Sequence, residues 1–125
     1  MFEIRVTTKF GAAHNLRNYG GKCENLHGHT WKVEVALKGN NLNDIGLMKD
    51  FREVKGALKE VLSRFDHSYI NELSPFDKIN PTAGNLSKHI FDELVKVLPE
   101  LFEVSVWESD DARACLLYTS DAADE

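Results

Sequence analysis

Two segments of the chain alternate apolar and polar residues with a period of two, and three histidines fall on their apolar side. In FEIRVTTKFGAAHNL, Phe2, Ile4, Val6, Phe10 and Ala12 are separated by Glu3, Arg5, Thr7 and Lys9, the pattern of a strand with one buried face. His14 continues the apolar side. In HGHTWKVEVALKG, His27, His29, Trp31, Val33, Val35 and Leu37 share one side, while Thr30, Lys32, Glu34 and Lys38 take the other. The connecting segment NLRNYGGKCEN is rich in Gly and Asn and too long for a tight hairpin turn. The two strands therefore pair across a loop that carries Cys23.

From Asp50 the period becomes helical, with Phe51, Val54, Leu58, Val61, Leu62 and Phe65 on one stripe, and Asp50 followed by Glu53 forms an acidic capping pattern. This helix ends near Asp66 and His67. A second helix follows Pro81, with Thr82 as N-cap, Leu86, Ile90, Leu94 and Leu98 four apart, and Pro99 as its stop. EVSVWES then alternates again, with Val104, Val106 and Glu108 on one face. Strands, helices and a return to strand predict an α+β domain with an antiparallel sheet and two helices on one face. At 125 residues the chain has room for one core.

Composition narrows the function classes. The net charge of −5 argues against a general nucleic-acid binder, and no apolar run of ~18 residues provides a membrane span. The N-terminus alternates where a signal peptide would be continuously apolar, so the expected location is cytoplasmic. Two cysteines, Cys23 and Cys115, are too few for a disulfide framework.

Alternate residues of a strand share a face, so His27 and His29 can aim two imidazoles at one point, and His14 on the neighbouring strand can add a third. Three histidines leave tetrahedral Zn²⁺ one open position, as in catalytic zinc sites. Cys23 has three readings: a fourth ligand closing the site, a base or nucleophile acidified by metal and imidazole, or a loop cysteine without a role. Asp66-His67 is either a tautomer-fixing pair or ordinary surface chemistry. Glu108 extends an apolar strand face, where a carboxylate needs a partner with paired N–H donors, unless it emerges into water.

FGAAHNL, CENLHGHTWKVEV, GLMKDF, FDHSYIN, NPTAGNL and VSVWES, in this order, resemble the 6-pyruvoyl-tetrahydropterin synthase family from about Phe2 to Ala114. The C-x3-HGH spacing resembles its bacterial branch, the 6-carboxy-5,6,7,8-tetrahydropterin synthases of queuosine (7-deazaguanine) biosynthesis. The animal enzymes have a longer gap. The resemblance implies a tunnelling fold with a four-stranded antiparallel sheet, a homohexamer and an active site between subunits. It also implies His14, His27 and His29 as zinc ligands, Cys23 with Asp66 and His67 as catalytic triad, and Glu108 as the anchor of the pterin ring. The implied reaction is a carbon–carbon lyase step, converting 7,8-dihydroneopterin triphosphate to 6-carboxytetrahydropterin, acetaldehyde and triphosphate. Alternatives are a 6-pyruvoyl product or a non-catalytic zinc-binding homologue.

Two departures stand out. Gly84 occupies the position of the glutamate in the family's PT-x-E-N-L motif. CLLYTSDAADE, Cys115–Glu125, resembles the translation of a transposase adapter used in sequencing libraries. Residues 1–114 are thus expected to form the domain and 115–125 a non-native tail, the alternative being a terminal strand with a frayed acidic end.

Overall fold

The computed structural model describes residues 1–118. Both alternating segments form long antiparallel strands, β1 (Phe2–His14) and β2 (His27–Gly39). Their register sets Val6 opposite Val35, Phe10 opposite Trp31, Ala12 opposite His29 and His14 opposite His27. Because side chains alternate across a strand, this register places both apolar sets on one face.

Two helices cover that face. In α1 (Phe51–Leu62) the Asp50 carboxylate accepts the Arg52 N–H at 2.8 Å, and Val54, Leu58 and Leu62 are buried. Phe51 is 51% exposed despite its place in the stripe. It is the first helical residue, and its side chain leans back beyond the helix start. In α2 (Ala83–Leu94) the Thr82 hydroxyl accepts the Asn85 N–H at 3.0 Å. Leu86, Ile90 and Leu94 are buried. Phe65 and Leu98, each the last residue of its predicted stripe, lie past the helix ends but still enter the core. Each such large side chain contributes about 1.5–3 kcal/mol on leaving water.

The sheet is larger and more varied than the four antiparallel strands expected. With β3 (Ser68–Tyr69), β4 (Leu101–Ser109) and β5 (Ala112–Leu117) it has five strands, in the order β3-β1-β2-β4-β5. β3, the dipeptide Ser68–Tyr69, runs parallel to β1 beside Ala12 and Ala13. Two residues are too few to display a period, so this strand left no pattern in the sequence. In β5, Cys115, Leu116 and Leu117 pair with Ser105, Val104 and Glu103. These three residues belong to the segment read as a tail, and residues 119–125 lie outside the described residues. β4 pairs with β2, Val106 opposite Val33 and Val104 opposite Val35. The same end of three adjacent strands thus carries His14, His27 and His29, and Glu108.

Candidate metal centre and active site

Four side chains converge where β1, β2 and β4 meet on the helix-covered face. The ligand atoms of His14, His27, His29 and Glu108 all lie within 4.8 Å of one another. The imidazoles of His14 and His27 stand edge to face at 4.6 Å, as do those of His14 and His29 at 5.0 Å. Trp31 closes the inner side, its ring 4.8 Å from His14 and 5.2 Å from His29, and stacks in turn on Phe10. The strand alternation supplies the directions, and the wall of aromatic rings excludes water from the inner side.

Backbone carbonyls fix which ring nitrogens face inward. His14 Nδ1 lies 2.8 Å from the Pro81 carbonyl, and His27 Nδ1 lies 2.7 Å from the Asn25 carbonyl. A carbonyl only accepts, so each Nδ1 carries the proton and each Nε2 keeps its lone pair. His14 is fully buried, and neither His14 Nε2 nor His29 Nε2 has a hydrogen-bond partner. Burial, the largest influence, pushes His14 below its ordinary pKa, although the Pro81 bond opposes it. Burial likewise lowers His29, against the pull of the Glu108 charge. Neutral imidazoles are the form that binds metal.

Glu108 Oε1 lies 3.3 Å from His14 Nε2 and 3.5 Å from His29 Nε2. Donor atoms at ~2.0–2.1 Å around a tetrahedral metal stand about 3.4 Å apart, so orphaned lone pairs and a carboxylate at this spacing fit a divalent cation. By resemblance the three histidines hold the metal and Glu108 the ring. In the structure its carboxylate belongs to the same group of donors.

Cys23 is not a member of that group. It sits half-buried in a single 3-10 turn, Lys22–Glu24, on the loop between β1 and β2. Asp66 and His67 form a separate pair, with Asp66 Oδ1 3.1 Å from His67 Nδ1 and accepting the Gly11 N–H at 3.0 Å. The Gly11 N–H holds the Asp66 carboxyl below its ordinary range, opposed by partial desolvation and joined by His67. His67 adopts a left-handed backbone at φ 58°, its N–H donates to the Gly11 carbonyl, and its side chain is 88% exposed. Gly11 precedes His14 by three residues, about 10 Å along a strand. Within one chain, no hydrogen bond or ion pair among the described residues joins this pair to the histidines or to Cys23.

The carbonyls of Asn25 and Pro81 and the amides of Asn15, Asn71 and Asn80 also shape the site, with no pattern in the sequence to mark them. FDHSYIN and NPTAGNL contain two of these amides, but side-chain amides have no periodicity to betray them.

A fold with two strand-borne histidine sets beneath two helices, and a cation-sized group of donors at the end of its sheet, defines an α+β domain with a candidate metal centre. A sequence model of the family "6-pyruvoyl tetrahydropterin synthase" matches residues 3–117, and the chain belongs to that family. It is 37% identical over 106 residues to the 6-pyruvoyl tetrahydrobiopterin synthase of Dictyostelium discoideum, covering 82% of this chain and 78% of that protein. It is 31% identical over 120 residues to the 6-carboxy-5,6,7,8-tetrahydropterin synthase of Rickettsia bellii, covering 82% and 85%. The structure of Caenorhabditis elegans 6-pyruvoyl tetrahydropterin synthase has the same fold, with TM-score 0.85, 24% identity, and coverage of 94% of this chain and 96% of that one.

Proposed function

We propose that this chain is a zinc-dependent synthase that converts 7,8-dihydroneopterin triphosphate and one water to 6-carboxy-5,6,7,8-tetrahydropterin, acetaldehyde and triphosphate. The observation that carries the proposal is the pair of buried, unpartnered Nε2 nitrogens of His14 and His29, converging with His27 and Glu108. The R. bellii relative bears the name of this activity.

His14, His27 and His29 would hold the metal, with the open position toward Glu108, whose side chain is more than a third exposed. Bound Zn²⁺ would polarise the oxygens of the substrate side chain and favour their deprotonated form. Glu108 would accept paired N–H groups of the pterin edge, as a carboxylate does for a guanidinium. Asp66 fixes the His67 tautomer through Nδ1 and leaves Nε2 free to take or return a proton. Cys23 would move the other proton. Since the His67 side chain is exposed and paired with Asp66, not with the histidines, the proposed site is completed between copies of the chain in a homohexamer. Queuosine biosynthesis and a cytoplasmic location belong to the same proposal.

The 6-pyruvoyl product is the second reading, favoured by the name and 37% identity of the D. discoideum relative. Incubating the zinc-loaded protein with 7,8-dihydroneopterin triphosphate and weighing the pterin product by mass spectrometry separates the two. Release of acetaldehyde with the carboxy product supports the proposal; a pyruvoyl product, or none, overturns it. Residues 115–125 are proposed to be non-native, which sequencing the source gene across Ala114 tests.

A further inference from the structure

We infer that Asn71 and Asn80 are positioning residues that clamp the chain between the histidine centre and Cys23, and so fix where the thiol stands. The inference rests on the role proposed for Cys23, and its geometry is independent of that role.

Each asparagine grips the backbone of one residue at both of its polar groups. The Asn15 N–H donates to Asn71 Oδ1 and Asn71 Nδ2 donates to the Asn15 carbonyl, both at 2.9 Å. Two residues on, the Arg17 N–H donates to Asn80 Oδ1 at 2.9 Å and Asn80 Nδ2 donates to the Arg17 carbonyl at 3.0 Å. A side-chain amide has one acceptor and one donor side, so it can stand in for a neighbouring strand at a single residue. Residues 15 and 17, just past the end of β1, are therefore each held by a side-chain amide in the way a neighbouring strand would hold them.

The intervening residue faces the other way. The Leu16 N–H donates to the Cys23 carbonyl at 2.7 Å, and Asn15 Nδ2 donates to the Glu24 carbonyl at 3.2 Å. The backbone on which Cys23 rides is thus tied to a segment that the two asparagines hold from behind. The same segment begins one residue after His14, whose ring is held by the carbonyl of Pro81, the neighbour of Asn80. One short stretch, Asn80-Pro81, grips both the first candidate metal ligand and the track leading to the thiol.

The clamp is anchored. Asn71 is only 6% exposed, and the Arg17 guanidinium donates back to the carbonyls of Phe76 at 2.7 Å and of Asn71 and Ile79 at 3.3 Å. A buried amide that lost its partner would carry an uncompensated desolvation cost, so this arrangement favours a single position of the loop. A proton-transfer group needs such placement, because a displacement of about 1 Å can cost about a hundredfold in rate.

The test uses the zinc-loaded full chain. Iodoacetamide labelling of Cys23 and Cys115 is followed by peptide mass in wild type, Asn71→Ala, Asn80→Ala and, as the milder variant should Asn71→Ala not fold, Asn80→Ser. Ser87→Ala, buried in α2 away from the loop, controls for a general loss of stability. The expected result is a rise of about fivefold to tenfold in the Cys23:Cys115 labelling ratio for each asparagine variant, the weight of one or two lost hydrogen bonds, with the ratio unchanged in Ser87→Ala. Alongside it, turnover of the triphosphate should lose kcat by about tenfold to a hundredfold at nearly constant KM. An unchanged labelling ratio in folded asparagine variants overturns the clamp, whatever the activity. Wild type that does not turn over the substrate overturns the proposed function and leaves the labelling result to decide the clamp.

Discussion

Glu108 Oε1 faces His14 Nε2 across 3.3 Å, although both atoms are electron-pair donors. Such a pair is held apart by repulsion unless a cation or a donor molecule joins them. The histidines suffice to hold a catalytic metal, whereas only Glu108 offers an acidic edge to a ring. Glu108→Gln is therefore expected to keep the metal and lose affinity for a pterin analogue, by about 1.5–3 kcal/mol for a charge-assisted hydrogen bond. Isothermal titration of the variant, with its metal content measured in parallel, checks this. Metal loss would instead make Glu108 a ligand.

The metal itself is expected at one Zn²⁺ per chain with nitrogen and oxygen neighbours at ~2.0–2.1 Å. The inward Nε2 atoms of His14 and His29 have no hydrogen-bond partner, so His14→Ala or His29→Ala should abolish stoichiometric binding. X-ray absorption of the zinc-loaded protein reads the shell directly. A sulfur neighbour near 2.3 Å would refute an open three-histidine centre.

Much of this centre was legible because strand alternation converts sequence position into direction. His14, His27 and His29 could be placed on one side from FGAAHNL and HGHTW alone, and pairing of the two strands then brought them together. Glu108 was legible as a carboxylate on an apolar face, but its 3.5 Å approach to His29 depends on the register of β4 against β2, which no local pattern records. Likewise, β3 consists of Ser68 and Tyr69 only and is defined by its partner, not by its own residues. The bonds of Asn71 and Asn80 are longer in range still, spanning more than fifty residues of chain.

His89 provides a pH-dependent test of the core beneath the site. Its ring stands edge to face with Phe65 at 5.6 Å and Phe76 at 5.5 Å. Burial is the largest influence and lowers its pKa; Glu93 and Asp92 oppose the shift, while Arg64 and Lys96 add to it. The unfolded chain takes up this proton near pH 6.5, but the folded chain resists until the pH is lower. Stability is therefore lost as pH falls from about 6.5 toward the folded value. His89→Phe should flatten that part of the profile relative to wild type at equal zinc. Urea unfolding between pH 7.5 and 5.5 measures the slopes, and parallel profiles would remove His89 from the account.

Gly56 lies in the interior of α1, exposed, and a Cβ added there meets nothing within 4 Å. Glycine in a helix costs roughly 0.5–1 kcal/mol relative to alanine through backbone entropy. Gly56→Ala should raise the unfolding free energy by about that amount without changing metal content. A destabilised variant would mean that the site is covered in solution, for example by another copy of the chain.

Cys23 is proposed to transfer a proton beside the metal without binding it. Its thiol is outside the group of four converging donors, the residue is half-buried in an otherwise exposed turn, and its carbonyl is tied to Leu16 two residues past His14. This places the residue on the loop that joins the two histidine-bearing strands, on a support separate from the centre. Cys23→Ala should accordingly fold, retain Zn²⁺ and lose turnover by about 10²–10⁴-fold, the range for removal of a general acid–base group. Cys23→Ser should recover little, since a hydroxyl is a far weaker acid than a thiol. The measurements are zinc stoichiometry and single-turnover rate on the same samples. Loss of zinc from Cys23→Ala would make the sulfur a ligand after all, and near-normal turnover would leave the proton to be moved by another group.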